Sequence, residues 1–499
     1  MSRVDGDIHP KLKREFRPEL AQPAADIFNC ITSTGIYPRQ WVRETVTPVP
    51  KTDIVESEDD IRNISLTPDL SKDYEKFLVE WLEPYVCPMI DPGQFGGRKG
   101  QSIAQYLVLL LNFILTNTDT SPIPKAVLIA LCDYSKGFNR IDHSKVIIRL
   151  SDWGVPGWLL KILISYLTER TMIVKYKGVF SSPQSLPGGT VQGSELGILL
   201  FIVELSDAGM AVPSQPMQID NVTDINSLPQ PSPAVTSDEC RLKYVDDQTH
   251  GEVLRLDTDL QLNGNIDGPR NFHDRHGHLL QPESSKLQGR LNDISEYAKI
   301  HNLKLNEKKT KVMPFNFTRK FDFEPKLEAC NKQLDVVYSH KLLGTILSSD
   351  CKWTENTQYL VKKGYQSIWY LRRLKALGAS TRTLLDSYHK SVRSMLEPQS
   401  VPVWNSALTQ TNIRNLERVQ KTAFKVILST QYISYRNALE FLKEKTLEQR
   451  RKILCKKFAL KCTKNPKMAT LFKKAPNRTR NGKRFLEPLT KTKRAYRGC

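Results

Sequence analysis

The strongest local signal in this sequence is Tyr244-Val245-Asp246-Asp247, in which two adjacent aspartates lie between short runs of β-type residues. Two neighbouring negative charges repel each other, and either one is costly to bury without a partner. Divalent cations held by carboxylate oxygens remove both difficulties. An Asp–Asp pair alone is more often a surface turn, so its interpretation depends on the rest of the chain.

A third aspartate strengthens the metal-binding interpretation. The apolar run Ala126–Cys132 predicts a buried strand that ends at Asp133. Between this strand and the aspartate pair lies the Gly-rich turn Leu186-Pro-Gly-Gly-Thr-Val-Gln-Gly-Ser194, which precedes a predicted helix. Such a turn suits the close approach of a nucleotide. Two cations held by three carboxylates are suited to activating a hydroxyl and stabilising a leaving pyrophosphate.

Composition limits the class of protein. A chain of 499 residues, 39% of them apolar, predicts more than one domain with sizeable cores. The net charge of +20 favours a polyanionic partner, with nucleic acid ahead of an acidic membrane. Nine cysteines without CxxC spacing predict neither a disulfide framework nor a zinc site. The apolar run Tyr106–Leu115 is about half the length that spans a bilayer. These features predict an intracellular protein, nuclear or cytoplasmic, without a signal peptide or membrane segment.

The apolar periodicity predicts a mixed α+β body followed by helices. A helix is expected over residues 69–86, and Pro- and Asp-rich loops are expected over 211–238 and 262–286. Further helices are predicted over 354–377, 381–395, 410–428 and 434–460. The last fifty residues carry about 18 Lys and Arg against one acid, Glu487. This tail is either a solvated extension or a phosphate-binding arm.

In order and content these motifs resemble the reverse transcriptase of non-LTR (LINE-type) retrotransposons, in the jockey-like or CR1-like range. The resemblance extends over residues 10 to 470. Its blocks are Val49-Pro-Lys51, Ile61-Arg-Asn-Ile-Ser-Leu66, Leu70-Ser-Lys72, Gln94-Phe-Gly-Gly-Arg-Lys-Gly-Gln-Ser102, Cys132-Asp-Tyr-Ser-Lys-Gly-Phe138, Gly188-Gly-Thr-Val-Gln-Gly-Ser194, Tyr244-Val-Asp-Asp247, Leu305-Asn-Glu-Lys-Lys-Thr-Lys311, His340-Lys-Leu-Leu-Gly344, Leu396-Glu-Pro398, Val403-Trp-Asn405 and Leu416-Glu-Arg-Val-Gln420.

The resemblance implies an α+β right-hand polymerase fold. Fingers and a palm with an antiparallel sheet would be followed by a helical thumb and a basic tail. The corresponding boundaries are an N-terminal helical extension over 1–30, the reverse transcriptase domain over 31–348, the thumb or connection over 349–445 and the basic C-terminal tail over 446–499.

The resemblance also implies a role for each acidic residue. Asp133 and Asp246 would be the main metal ligands, with Asp247 as the companion acid. The backbone carbonyl of Tyr134 would complete one coordination shell. The implied cofactors are two Mg²⁺ ions, with Mn²⁺ as an alternative.

Other positions would bind the substrates. Phe138 resembles a steric gate that selects dNTPs, its alternative being an ordinary core residue. Gln192 and Gly193 would contact the incoming nucleotide and the template base. Lys51 and Arg62 would grip the triphosphate, although Lys51 is equally consistent with a solvated surface position. Lys309 would donate a proton to pyrophosphate, or would simply be one charge in a lysine-rich turn. The primer grip would be Leu343 and Gly344.

The expected activity is RNA-directed DNA polymerisation, with an RNA template, a DNA primer or target and dNTPs as partners, and with no membrane. The chain departs from the family pattern at Asn63, Asn139 and the pair Gly197-Ile198, and nothing before residue 10 would house the family's endonuclease. These features suggest a truncated element and leave open a second possibility, an inactive relic that only binds nucleic acid. A third, RNA-directed RNA polymerisation, is disfavoured by Phe138 and the thumb motifs.

Overall fold

The computed structural model describes residues 8–50, 54–57, 60–119, 125–209, 232–255, 272–274, 279–280, 286–317, 321–323 and 325–471. Lys51, most of the two loops predicted over 211–238 and 262–286, and the tail from residue 472 lie outside the described residues.

The helices in this part of the chain are α1 (Pro10–Glu15), α2 (Arg17–Thr34), α3 (Asp69–Val86), α4 (Ile103–Thr118), α5 (His143–Asp152), α6 (Gly157–Leu167), α7 (Glu195–Glu204), α8 (Lys286–Ile300), α9 (Thr354–Ala376), α10 (Thr381–Ser387), α11 (Ser394–Leu396), α12 (Val401–Trp404), α13 (Gln410–Leu428), α14 (Tyr435–Phe441), α15 (Leu447–Cys462) and α16 (Pro466–Ala469).

The strands are β1 (Arg43–Pro50), β2 (Ile61–Leu66), β3 (Lys125–Cys132), β4 (Thr171–Tyr176), β5 (Val179–Phe180), β6 (Gln184–Ser185), β7 (Glu239–Tyr244), β8 (Asp247–Arg255), β9 (Phe272–Asp274), β10 (Leu279–Leu280), β11 (Lys311–Phe315), β12 (Phe321–Phe323), β13 (Glu328–Ala329), β14 (Lys332–Gln333), β15 (Asp335–Val336), β16 (Ser339–Leu342) and β17 (Thr345–Ser348).

The central sheet has the strand order β15-β11-β3-β8-β7. Strand β3 pairs antiparallel with both β8 and β11, and β7 pairs antiparallel with β8. Side chains alternate across a strand, so a strand covered on both faces must be apolar throughout. The strand β3 meets this requirement, since every residue from Ala126 to Cys132 is buried. The prediction of a buried strand over 126–132 is confirmed.

Two hydrophobic cores lie on opposite faces of this sheet. Ala126, Leu128 and Ala130 of β3 belong to one core, with residues of α3 and α5 to α8. Val127 and Ile129 belong to the other, with residues of α4 and the C-terminal helices. The central sheet therefore lies between the two cores, and the single strand β3 contributes side chains to both.

A second sheet, with the order β2-β1-β4-β5, has β6 paired to β4. Strands β1 and β2 are antiparallel, and Val49 of β1 faces Arg62 of β2. Strand β1 runs parallel to β4. Helix α3 packs on α7, and its bounds match the helix predicted over 69–86.

The C-terminal helices differ in two places from the prediction. The single helix predicted over 434–460 is wrong, because α14 ends at Phe441 and α15 begins at Leu447. Lys443 has a φ of 54°, which interrupts a right-handed helix. Thr446 and Gln449 then form a reciprocal capping box at the start of α15. The helix predicted over 381–395 contains a π-helical stretch, Tyr388–Arg393.

One helix crosses a predicted domain boundary, and another lies within the predicted tail. Helix α2 runs through residue 30 to Thr34. Helix α15 starts where the basic tail was expected, and it packs on α12 and α13. The division into domains stays a prediction. Among the described residues, no helix is both long and apolar enough to cross a membrane.

Candidate active site

The central sheet brings the three predicted aspartates together. Asp133 follows β3 directly, and the register of β3 with β8 pairs Cys132 with Gln248. Extending this register by one residue places Asp133 beside Asp247. Asp246 lies in the two-residue turn that joins β7 to β8, where Tyr244 pairs with Asp247. Carboxylates that are distant in sequence therefore meet at one end of the sheet.

A neighbouring loop fixes the backbone at Asp133. The N–H of Asn306 donates to the carbonyl of Asp133 at 2.7 Å, and the N–H of Ser135 donates to the carbonyl of Lys304 at 2.7 Å. Neither of these two hydrogen bonds uses the carbonyl of Tyr134, which lies between them. The resemblance assigned that carbonyl to a metal ion, and this assignment stays a prediction.

The carboxylates repel one another in a partly dry environment. Burial and the charge of Asp133 raise the pKa of Asp246. Burial and the charges of Asp246 and Asp133 raise the pKa of Asp247 to about 7. Each raised pKa means that the charged form is disfavoured in the folded protein. A cation at this site would therefore stabilise the charged forms of the carboxylates.

Lys309 supplies one positive charge beside Asp133. Its ammonium nitrogen lies 3.3 Å from Oδ2 of Asp133, and its side chain is 63% exposed. A surface ion pair of this kind is weak. The same Oδ2 of Asp133 is buried and accepts no hydrogen bond. One carboxylate oxygen is thus left with unused capacity beside two further carboxylates.

The donors fit a hard cation, although they do not form a closed ligand shell. Mg²⁺ prefers carboxylate and other oxygen ligands, and it keeps several water molecules. Among the described residues, no three His, Cys, Asp or Glu side chains already converge as metal ligands. Asp133, Asp246 and Asp247 would supply oxygen donors and negative charge to such a cation, and water and substrate would supply its remaining ligands.

A polar cavity of about 590 Å³ opens in front of these carboxylates. Five of the predicted site residues line it besides Asp133 and Asp246: Arg62 comes from β2, and the other four come from segments that connect the strands and helices named above. The full lining is Pro48, Ile61, Arg62, Asn63, Asp133, Tyr134, Ser135, Lys136, Gly137, Phe138, Asn139, Gln192, Asp246, Asn306 and Lys309.

Phe138 forms one wall of this cavity. Its ring stacks on Phe201 of α7, with ring centroids 4.4 Å apart and planes 12° from parallel. The ring is half-buried, so one part packs in the core while another faces the cavity. The two alternatives for Phe138, core residue and gate, are therefore compatible with each other.

The Gly-rich turn is held against the loop that carries Phe138. The N–H of Thr190 donates to the carbonyl of Phe138 at 2.8 Å, and the N–H of Gly189 donates to the carbonyl of Ile141 at 2.9 Å. Ser194 caps the start of α7 by accepting from the N–H of Gly197. Gly193 has a φ of 109° in open space, so glycine is required there by backbone conformation and not by crowding.

Some predicted site residues do not line the cavity. Asp247 and Gly193 lie beside residues that line it, Asp246 and Gln192. Leu343 and Gly344 form the turn between β16 and β17, both with positive φ, and they are absent from the cavity lining. Lys51 follows the last residue of β1 and lies outside the described residues. Their assigned roles stay predictions.

Sequence reasoning missed a buried ion cluster behind the aspartates. Asp91 is fully buried, and its Oδ2 lies 2.8 Å from Nε of Arg241 and 2.9 Å from Nζ of Lys243. Lys243 also donates to the carbonyls of Leu205 and Ser206. Arg241 and Lys243 lie on β7, the strand that leads into the turn. The only available signal was their spacing of two, which places both side chains on one face of a strand.

Comparison with known proteins identifies the class. Residues 49–248 match the model of the family "Reverse transcriptase (RNA-dependent DNA polymerase)". This range includes the three aspartates, Phe138 and the Gly-rich turn. Residues 49–248 therefore match a reverse transcriptase domain. By this resemblance the central sheet would correspond to the palm and the sheet of β1 and β2 to the fingers.

The curated relatives of this region are polymerases of mobile elements. Over 184 residues the chain is 30% identical to the probable RNA-directed DNA polymerase from transposon BS of Drosophila melanogaster. It is 29% identical, over the same length, to the RNA-directed DNA polymerase from mobile element jockey of that organism. Each match covers 36% of this chain, and the chain spans about 20% of the length of each relative.

Solved structures of telomerase from Candida tropicalis are more distant. The complex with the TWJ fragment of telomeric RNA is 12% identical, with a TM-score of 0.42 over 91% of this chain and 66% of that chain. The apo enzyme is 12% identical, with a TM-score of 0.40 over 87% of this chain and 68% of that chain. Similarity of this degree does not by itself establish a shared fold.

Proposed function

We propose that this chain is an RNA-directed DNA polymerase, which extends the 3′-hydroxyl of a DNA primer with dNTPs on an RNA template. In each cycle the 3′-oxygen bonds to the α-phosphorus of a dNTP, the hydroxyl proton leaves and pyrophosphate is released. The proposal includes two divalent cations, Mg²⁺ or Mn²⁺, at Asp133, Asp246 and Asp247.

The observation that supports this proposal most is the unbalanced charge of the three carboxylates. They lie at the junction of β3, β7 and β8, two of them have raised pKa values, and Oδ2 of Asp133 accepts no hydrogen bond. A purely structural cluster would be neutralised by its own neighbours, whereas here the one ion pair found among the described residues is that of Lys309 with Asp133. When bound, divalent cations would activate the 3′-hydroxyl and stabilise the negative charge of the leaving pyrophosphate.

The other cavity residues have separate tasks. Arg62, with its forked guanidinium, would grip the triphosphate from β2. Lys309, whose side chain is largely exposed beside Asp133, would donate a proton to pyrophosphate. The ring of Phe138 would exclude a ribose 2′-hydroxyl. Gln192 would contact the base pair that is being formed.

Primer extension tests the proposal. The purified chain is incubated with a poly(rA) template, an oligo(dT) primer, dTTP and either Mg²⁺ or Mn²⁺. We expect extension by the wild-type chain and none by Asp246→Asn, which removes one anionic ligand and keeps its size. The control is Asp152→Asn, because Asp152 is an exposed carboxylate at the end of α5.

The alternative outcomes are distinct. Extension that persists in Asp246→Asn would refute the metal assignment. Tight, salt-sensitive RNA binding without incorporation at any Mg²⁺ or Mn²⁺ concentration would show the inactive binder instead. The net charge of +20 is the observation that keeps this second function in consideration.

A further inference from the structure

The turn that carries Asp246 contains an unfavourable backbone conformation. Val245 has a φ of 61°, in the left-handed region. A β-branched residue rarely adopts this conformation, and it persists only where surrounding contacts impose it. Glycine is usual at the first position of a two-residue hairpin turn with positive φ. Something outside the hairpin must therefore hold Val245.

The side chain of Gln94 makes that contact. Gln94 is 1% exposed, and its Oε1 accepts from the N–H of Val245 at 3.0 Å and from the N–H of Gly96 at 3.2 Å. We propose that Gln94 is a positioning residue, which fixes the Val245 conformation and thereby aims the carboxyl group of Asp246. We call the segment Asp91–Gly97 the strap.

The backbone of the strap pairs with β7. The N–H of Lys243 donates to the carbonyl of Gly93, and the N–H of Phe95 donates to the carbonyl of Lys243, both at 2.8 Å. A Cβ on Gly96 would lie 2.6 Å from the nitrogen of Val245, and a Cβ on Gly93 would lie 2.1 Å from the carbonyl oxygen of Arg241. The strap can approach the turn this closely only because both positions are glycine.

Two anchors keep the strap in place. Asp91, at its start, is held by Arg241 and Lys243 as described above. Farther along, Nζ of Lys467 donates to the carbonyl of Pro92 at 2.5 Å and lies 5.5 Å from the centre of the Phe95 ring. The strap is thus fixed by the palm on one side and by α16 on the other.

This inference rests on the proposed function, since aiming Asp246 matters only for catalysis. Gln94→Met keeps the size of the side chain and removes the acceptor, whereas Gln94→Glu restores an acceptor oxygen. A misplacement of about 1 Å at a reacting centre costs about a hundredfold in rate. We therefore expect kcat to fall about tenfold to a hundredfold in Gln94→Met, while KM for dTTP changes by less than about threefold. Gln94→Glu should recover most of the loss.

Hydrogen exchange tests the strap independently of activity. In Gln94→Met, exchange of the peptide that covers residues 241–249 should quicken about tenfold, the factor expected from one lost buried hydrogen bond. The control is Gln420→Met, because Gln420 is a fully buried glutamine in α13 with hydrogen bonds of its own. That variant should loosen the thumb and leave the 241–249 peptide unchanged.

The outcomes separate the two proposals. Unchanged exchange and unchanged kcat in Gln94→Met would overturn the positioning role. Faster exchange at the turn in both Gln94→Met and Gln420→Met would also overturn it, since that pattern means general destabilisation. A wild-type chain without polymerase activity would refute the proposed function, while faster exchange confined to Gln94→Met would still establish the strap.

Discussion

Two acidic sites lie near β7, and their electrostatics are opposite. Asp91 is fully buried, yet its pKa is held well below the usual value, because Lys243 and Arg241 outweigh the effect of burial. Asp247 is half-buried beside other carboxylates, and its pKa is raised to about 7. Both are aspartates in one fold, so the difference arises entirely from their neighbours.

The difference distinguishes a charge that is neutralised within the fold from charges that are not. The Asp91 cluster is balanced by two cations and by the N–H of Gly93, which donates to Oδ1 of Asp91 at 2.8 Å. Within the described part of the chain, Lys309 is the one cation paired with the carboxylates of Asp133, Asp246 and Asp247. A balanced cluster specifies how strands pack, whereas an unbalanced one next to a cavity is suited to binding a ligand of opposite charge.

The largest expected effect is on activity, in the unbalanced cluster. Asp246→Asn should lower primer extension by a factor on the order of a thousand or more, since it removes charge that acts at the reacting centre. The free energy of unfolding, measured by denaturant titration without divalent cations, should not fall, because the substitution relieves repulsion. A variant that loses activity only because it unfolds would contradict this comparison.

The converse effect is expected in the balanced cluster. Asp91→Asn leaves Lys243 and Arg241 buried without a counter-charge, which should lower the free energy of unfolding by about 3–5 kcal/mol. Chemical denaturation followed by circular dichroism measures this change. If Asp91→Asn unfolds at the same denaturant concentration as the wild-type chain, the cluster does not stabilise the palm.

A smaller effect tests whether the cavity beside the unbalanced cluster accepts a nucleotide. Phe138→Ala should lower the preference for dTTP over UTP by about tenfold to a hundredfold, the range over which the shape of a pocket discriminates. The ratio of kcat/KM for the two substrates measures it. An unchanged ratio would make Phe138 a core residue only, and a wild-type preference for UTP would indicate an RNA polymerase.

The smallest expected effect is a gradual change of the free energy of unfolding with pH in the metal-free protein. The raised pKa of Asp247 means that the folded state binds this proton more tightly than the unfolded state does. Protonation of Asp247 therefore contributes fully to the free energy of unfolding below the ordinary pKa of about 3.9. This contribution is lost as the pH rises through about 7. The pKa of Asp91 is lowered, so its ionised form stabilises the folded protein above the ordinary pKa, and this stabilisation is lost as the pH falls.

Denaturation midpoints over a pH series separate these two windows. In Asp247→Asn the denaturation midpoint should change less between about pH 4 and pH 7, whereas its fall at more acidic pH, assigned to Asp91, should remain. If the midpoint of Asp247→Asn still changes as strongly between about pH 4 and pH 7, another titratable group causes that change.

The same two clusters show what sequence could predict. The unbalanced site was predictable because its residues are local signals, namely an apolar strand that ends at Asp133 and a pair of aspartates in a turn. The balanced cluster was not, because Asp91 and Arg241 are 150 residues apart and each looks ordinary in its own segment. Gln94 was part of a recognised block, but only the three-dimensional structure places its side chain at Val245.

Element boundaries show a related limit. The helix predicted over 434–460 followed apolar periodicity, which continues across the break between α14 and α15. The Thr446-x-x-Gln449 pattern was the signal for a new helix start. The fold class and the three aspartates were thus accessible from sequence, while contacts between distant segments were not.

Equilibrium binding of Mn²⁺ tests the central claim most directly, without nucleic acid or turnover. Isothermal titration at about pH 8, above the raised pKa of Asp247, compares the wild-type chain with Asp246→Asn and with Asp152→Asn. We predict binding by the wild-type chain and Asp152→Asn, and binding at least about tenfold weaker by Asp246→Asn. Equal affinity in all three chains would contradict the conclusion that the unbalanced carboxylates hold the divalent cations.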